Sequence, residues 1–359
     1  MSSSNNHQEN GVNKESAIEA ERAKCGFLFT EDVAPGLKIE VDLKRIFCST
    51  QSQYQKIDVI ETYFGKTLVT DGKTQSAEFD EFVYHESLVH PPMLTSAILS
   101  NDPDGSFPKS VFIGGGGELA TAREVLRHKS VERVVMVDLD EKVIEVCKRY
   151  LPEWGGDAVC ADPRFELVVG DAHAYMINTK ETFDVIIMDI SDPIEAGPGI
   201  MLYTKEFYEH AVTRLNPHGV FVTQSGSADS IPPTHSKEML CFAPIYSTLK
   251  SVFDCVVPYT SSIPSFAGDW GFNMAFNNPQ KGDQLQIDKI SPEKIDELID
   301  KRITHMKDVV GQKCGEGDDV LKYYDGTTHT AMFALSKPLR KEVYAEKRLM
   351  TRDNPIFMF

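Results

Sequence analysis

The chain has 359 residues, 41 % hydrophobic and 25 % charged, with no apolar run long enough to span a bilayer. A formal charge of −17 disfavours nucleic acid or anionic membrane as a partner, because either needs a basic face, and suits a cationic small molecule. Seven cysteines, at 25, 48, 147, 160, 241, 255 and 314, are widely spaced and never form a CxxC pair, which argues for reduced thiols rather than a disulfide framework or a zinc site.

Residues 1–24, beginning MSSSNNHQENGVNKES, carry almost no large apolar side chains and read as a disordered polar tail. They show neither an apolar signal core nor an arginine-rich amphipathic pattern, so the expected compartment is the cytoplasm. Residues 36–100 read as a small antiparallel domain of β-hairpins with a connecting helix. LKIEVDLKRIFCS and QKIDVIETYFGKTLVTDGKTQSAEF alternate apolar and polar residues, with turn signals at Phe64-Gly65-Lys66 and Asp71-Gly72. EFVYHESLVHPPMLTSAIL, 81–99, has helical spacing interrupted by Pro91-Pro92, which predicts helix, kink, helix.

From 101 to 350 apolar runs alternate with amphipathic segments. SVFIGGGG, ERVVMVD, FELVVGD, FDVIIMD and GVFVTQ read as strands, and ELATAREVLRHK and EKVIEVCKRYL as helices. Such alternation predicts an α/β domain, a parallel-dominated sheet with helices on both faces. IDKISPEKIDELIDKRITHM, from about 284 to 310, reads as one amphipathic helix, and the remaining tail as one or two edge strands.

The four glycines 114–117 between the first parallel strand and its helix let a ligand approach the main chain closely. Leu119 and Ala120 break the GxGxxG pattern, so a pyrophosphate cradle and a nicotinamide oxidoreductase are disfavoured. Asp138 ends the second strand about 20 residues on, where a carboxylate receives ribose hydroxyls. A tight turn explains the glycines alone and a helix cap explains Asp138 alone, whereas adenosine without a phosphate fits both. Glu118, in the glycine loop, welcomes an ammonium rather than a phosphate. Asp171, Asp189 and Asp192 complete a set of five acids at the carboxyl ends of strands, where the crevice of an open α/β sheet lies. Their repulsion calls for cations or hydroxyl donors. No histidine or cysteine sits among them, which disfavours a transition metal and leaves magnesium as the chief rival occupant.

GGGGELATAREVLRHK, VVMVDLDEKVIEVC, VVGDAHAYM, DISDPIEAGPGIMLYTKEFY, GVFVTQSGSA and IPSFAGDWGFNMAF, in this order, resemble the aminopropyltransferases, the spermidine and spermine synthase family. YFGKTLVTDGKTQSAEFDEFVYHESLVHPP resembles the family's N-terminal segment, so the likeness runs from about 38 to 345. DPIEAGP, the TQSG segment and LYTKEFY are most similar to thermospermine synthases. The resemblance implies a Rossmann-like, class I methyltransferase-type domain. It also implies transfer of an aminopropyl group from decarboxylated S-adenosylmethionine to a polyamine, with no permanently bound cofactor, no metal and a dimer or tetramer as the assembly. It assigns Asp138 to the ribose, Asp171 and Ala172 to the adenine with Pro198 flanking, and Gln55, Gln75 and His85 to the same cosubstrate. Glu118 would hold the aminopropyl ammonium; Tyr84, Asp189 and Asp192 would face the acceptor, with Asp189 as base and the proline-rich loop 193–203 as lid.

Without the resemblance, Tyr84 and His85 read as packed helix residues, Gln55 and Gln75 as strand surface, and Trp270 as a core anchor outside the site. Asp171 reads as cap and ligand together. Three departures from the family stand out. Leu119 replaces a glycine and is expected to narrow the cosubstrate groove. Phe266 replaces a tyrosine common in spermidine synthases, and the segment after Gln224 lacks an acid they often carry. The last two weaken putrescine as acceptor and suit spermidine. The alternatives are a spermidine or spermine synthase, an S-adenosylmethionine methyltransferase, and a non-catalytic polyamine-binding protein.

Overall fold

The computed structural model describes residues 26–102, 104–195, 197, 199–231, 240–277, 287–311 and 319–358, so the tail 1–24 and Pro198 lie outside the described residues. Strands β1 (Leu28–Ala34) and β2 (Leu37–Asp42) pair antiparallel as a separate ribbon. Four further strands, β3 (Arg45–Gln51), β4 (Lys56–Thr62), β5 (Gly65–Thr70) and β6 (Lys73–Ala77), form an antiparallel sheet in sequence order. The Asp71-Gly72 turn joins β5 to β6 with both residues at positive φ, 49° and 80°, which is why this dipeptide closes the hairpin. Strand β1 begins before the alternating text at Gly36 and adds a partner for β2 that the sequence reading lacks.

Helix α1 (Glu81–Leu99) follows and contains both Pro91 and Pro92, so the expected break into two helices does not occur. Pro91 leaves the carbonyl of Ser87 without its helical donor. The buried Tyr259 hydroxyl donates to that carbonyl at 2.9 Å, which compensates the lost bond. The helix packs its residues Leu88, Val89, Met93 and Leu94 into the core beneath the large sheet.

That sheet has seven strands: β7 (Ser110–Gly115), β8 (Arg133–Asp138), β9 (Phe165–Val169), β10 (Phe183–Asp189), β11 (Leu215–Ser227), β12 (Cys255–Ile263) and β13 (Gly268–Phe276), in the order β12-β13-β11-β10-β7-β8-β9. Neighbours from β9 to β11 run parallel, and β13 is antiparallel to both β11 and β12. The two-residue period of the strands splits the core. Val185 and Ile187 pack with α1 on one face, and Ile186 and Met188 with Tyr203 and Phe207 on the other. Helices α2 (Ala120–Leu126), α3 (Glu141–Tyr150), α4 (Gly156–Ala161), α5 (Ala172–Asn178), α6 (Lys205–Ala211) and α7 (Phe242–Lys250) connect the strands. The order reverses between β7 and β10, which opens a crevice at their carboxyl ends.

Two further expectations are corrected. The part of the segment 284–310 that is described, from 287, is not one helix: Ser291 caps and Pro292 starts α8 (Pro292–Arg302), and a separate α9 (Met306–Val310) follows. Among its described residues the tail supplies α10 (Gly326–Met332) and α11 (Lys337–Ala345), capped by Asp325 and Ser336, rather than edge strands; the edge belongs to β12. Among the described residues no helix is long and apolar enough to cross a membrane.

Tyr259→Phe removes the compensating donor and leaves the Ser87 carbonyl buried and unpaired, so it lowers unfolding free energy by about 1–3 kcal/mol, read from the urea midpoint. An unchanged midpoint would show that the proline pair needs no such compensation.

Candidate active site

The glycine loop is shaped by its approach to the end of β10. Gly115 and Gly116 take φ of 84° and 80°, and the Gly116 N–H donates to the Asp189 carbonyl at 3.0 Å. A Cβ on Gly115 would lie 2.0 Å from that oxygen, and one on Gly117 would lie 3.0 Å from Asp138 Oδ2. Leu119 holds a left-handed φ of 76° at the start of α2, a conformation that favours glycine. Its side chain is fully buried in the core and does not line the cavity, so the expected narrowing of the groove is absent.

A cavity of about 350 Å³ opens over this crevice. Glu118, Asp138, Asp171, Asp189 and Asp192 all line it, with Gln55, Gln75, Tyr84 and Ala172. Asp189 accepts from the Tyr84 hydroxyl at 2.6 Å and from Thr121 Oγ1 at 2.5 Å. Burial and the nearby Glu118 still hold its pKa above the ordinary value. Asp192 accepts from Gln224 Nε2 at 3.0 Å, and burial pushes it up to about 6. Asp138 accepts from the Asp140 N–H at 2.8 Å; burial, with Glu118, Asp140 and Asp189 adding repulsion, raises it to about 6. Asp171 caps α5 by accepting from the His173 N–H at 2.8 Å while facing the cavity. Gln55 donates to Asp140 Oδ2 at 3.0 Å, and Gln75 to the Lys73 carbonyl at 3.3 Å.

His85 does not line the cavity; it is fully buried behind Glu118. Its Nε2 lies 3.1 Å from Glu118 Oε1 and its Nδ1 2.9 Å from Glu81 Oε2, to which Arg123 adds an ion pair at 2.7 Å. Burial opposes charge on the imidazole, but Glu118 and Glu81 outweigh it and raise its pKa to about 10. Burial likewise opposes the Glu81 carboxylate, and Arg123 with His85 outweighs it and brings Glu81 down to about 2. Behind the acids therefore runs an alternating chain, Glu118, His85, Glu81, Arg123, that fixes Glu118 from within.

Several wall residues escaped the sequence reading. Trp270, expected from the sequence to be a core anchor, lines the cavity and donates from Nε1 to Gln224 Oε1 at 3.1 Å. Met358 also lines it, and its N–H donates to the Pro193 carbonyl at 2.8 Å, tying the tail to the Asp192 loop. Only the helical spacing of Glu81 and His85, one turn apart, hinted at the pairing behind Glu118.

An open α/β sheet whose strand β8 ends in an acid, with further acids crowding the switch point, makes a crevice suited to hydroxyl donors and cationic groups. Residues 81–284 match the spermine/spermidine synthase domain, and 27–78 the spermidine synthase tetramerisation domain. A polyamine aminopropyltransferase of Sulfurisphaera tokodaii is 39 % identical over 315 residues, covering 88 % of this chain and 92 % of the relative. Polyamine aminopropyltransferase 2 of Hyperthermus butylicus is 40 % identical with the same coverage, and thermospermine synthase ACAULIS5 of Arabidopsis thaliana is 38 % identical over 92 % of this chain and 87 % of its own length. A crystal structure of spermidine synthase with the transition state analogue AdoDATO superposes with a TM-score of 0.71 at 30 % identity, covering 89 % of this chain and 96 % of that one. The chain belongs to the spermine/spermidine synthase family of polyamine aminopropyltransferases.

His85 has a folded pKa above the ordinary imidazole value of 6.5, so its contribution to stability is full below pH 6.5 and is lost as pH rises through about 10. His85→Gln flattens the fall in unfolding free energy across this window, measured by urea titration at a series of pH values. Equal slopes in the two proteins would contradict the charged pairing.

Proposed function

We propose that the chain transfers the aminopropyl group of decarboxylated S-adenosylmethionine to a terminal amine of spermidine, giving thermospermine and methylthioadenosine. The observation that carries this reading is Asp189, which faces the cavity with a raised pKa, beside Glu118 and within the same wall as Asp192. The amine lone pair attacks the carbon next to the sulfonium. The carbon–sulfur bond breaks with its electrons passing to sulfur, and the nitrogen's proton passes to Asp189 as base. Burial and the Asp189 charge hold the Tyr84 phenol well above its ordinary pKa, so it stays a neutral donor that steadies this carboxylate.

Asp138 receives the ribose hydroxyls, and Asp171 and Ala172 meet the adenine. Gln55 and Gln75 border the same cosubstrate, and Glu118 takes the aminopropyl ammonium while His85 acts through it. Asp192 holds a second ammonium of the acceptor and aims the attacking amine in line with the leaving thioether. The thermospermine assignment is supported by ACAULIS5, by the DPIEAGP loop and by Phe266 on the cavity wall. Exposed Phe27, just before β1, with Leu28 on β1 and Leu37 on β2, within the match to a tetramerisation domain, support a homo-oligomer, and the reading places it in the cytoplasm.

Incubation with decarboxylated S-adenosylmethionine and spermidine or putrescine, followed by chromatography that separates spermine from thermospermine, tests the reaction. Thermospermine from spermidine is expected; spermine would overturn the orientation of the acceptor, and no product with either amine would overturn the reaction. Asp189→Asn lowers kcat by roughly 10²–10⁴-fold with little change in methylthioadenosine affinity, and equal losses of rate and binding would contradict its role as base. In the parent protein the acceptor KM rises as pH falls through about 6, where Asp192 gains its proton. Asp192→Asn raises KM at neutral pH and removes that dependence; a retained dependence would contradict the assignment.

A further inference from the structure

A further carboxylate enters the cavity five residues after Gln224, itself a wall residue. Asp229 lines the cavity two residues beyond the end of β11. The register of β11 against β13 shifts between Gln224 and Ser227, and Gly226 takes φ of 75° within the shift. A Cβ at Gly226 would lie 3.5 Å from Asp192 Oδ1, so the bent strand end passes beside Asp192 before reaching Asp229. Gly268, at the start of β13, leaves room for the carboxylate: a Cβ there would lie 2.8 Å from Asp229 Oδ1. The three acids of this wall thus follow one another along the chain ends, Asp189 closing β10, Asp192 beside the shift and Asp229 beyond it.

The facing aromatic rings trace the same path. Tyr84, which holds Asp189, meets Phe266 at 5.8 Å between centroids, and Phe266 meets Trp270 at 4.7 Å. Trp270 pairs in register with Ser227, two residues before Asp229, and all three rings line the cavity. Rings and spaced carboxylates in one tract match a linear chain of methylenes interrupted by ammonium groups. Asp229 accepts from the Ser227 hydroxyl at a long 3.5 Å and from the Asp269 backbone N–H, yet burial with the neighbouring Asp269 carboxylate still raises its pKa, so the site gains by taking a cation.

We propose that Asp229 anchors the far ammonium of the acceptor and makes the cavity select a triamine over a diamine. This rests on the polyamine reading above. Asp192 holds the ammonium nearest the attacking amine, and only an acceptor with a further ammonium reaches Asp229.

The test is the ratio of kcat/KM for spermidine to kcat/KM for putrescine, measured on the same preparation of each protein with saturating decarboxylated S-adenosylmethionine. In Asp229→Asn the ratio falls by about tenfold, the loss of one charge-assisted contact, and in Asp229→Glu it falls less. Impaired folding lowers both activities in proportion and leaves the ratio where it was. An unchanged ratio in Asp229→Asn overturns the assignment and leaves aminopropyl transfer standing. Absence of product from the parent protein with either amine overturns the reaction, and the anchor with it.

Discussion

A Cβ on Gly115 would lie 2.0 Å from the carbonyl oxygen of Asp189, and the whole site depends on the absence of that atom. Because the loop after β7 can fold onto the end of β10, the Gly116 N–H reaches the same carbonyl and Glu118 is delivered to the mouth of the crevice. The parallel pairing that sets Gly115 opposite Asp189 fixes the height at which the two carboxylates meet. From this one close approach follow the wall against Asp138, the reach of Thr121 to Asp189 and the left-handed turn at Leu119 that starts α2.

Bringing so many acids together raises an electrostatic difficulty that the protein resolves differently on its two sides. Behind the cavity, Arg123 and a charged His85 neutralise Glu81 and Glu118 in a dry chain of ion pairs. Such buried pairs contribute little net stability against an apolar core, but removing one member strands its partner. In front, Asp138 accepts from the Asp140 N–H and Asp192 from Gln224 with the Lys73 charge nearby, and burial still raises both to about 6. The neighbouring Glu118, Asp140 and Asp189 add to the effect of burial at Asp138, so the proposed occupant of this side, a polycation, suits the geometry.

The parallel sheet was legible because its strands are unbroken apolar runs ended by glycine or acid, and because helical text separates them. The meeting of the five acids in one cavity followed from their strand-end positions alone. What stayed hidden depends on residues distant in sequence. The continuity of α1 across Pro91-Pro92 rests on Tyr259, 172 residues away from the carbonyl it serves. Trp270 reads as core because its ring sits among apolar neighbours, yet its indole N–H supports Gln224 at the cavity wall. The burial of His85 behind Glu118 comes from packing between α1 and α2, which helical spacing by itself does not orient. The tail was misread as strand because its caps, Asp325 and Ser336, carry a weaker signal than the apolar residues beside them.

The most direct measurement of the central claim, that the acids of the crevice trade protons for ammonium groups, is calorimetric titration of spermidine into the protein saturated with methylthioadenosine. Repeating it in buffers of different ionisation enthalpy counts the protons exchanged on binding. Net proton release at pH 6, where Asp192 is partly protonated, shrinking toward pH 8, where it is ionised, is the predicted result. Binding with no release at pH 6, or with the same release at both pH values, would contradict it.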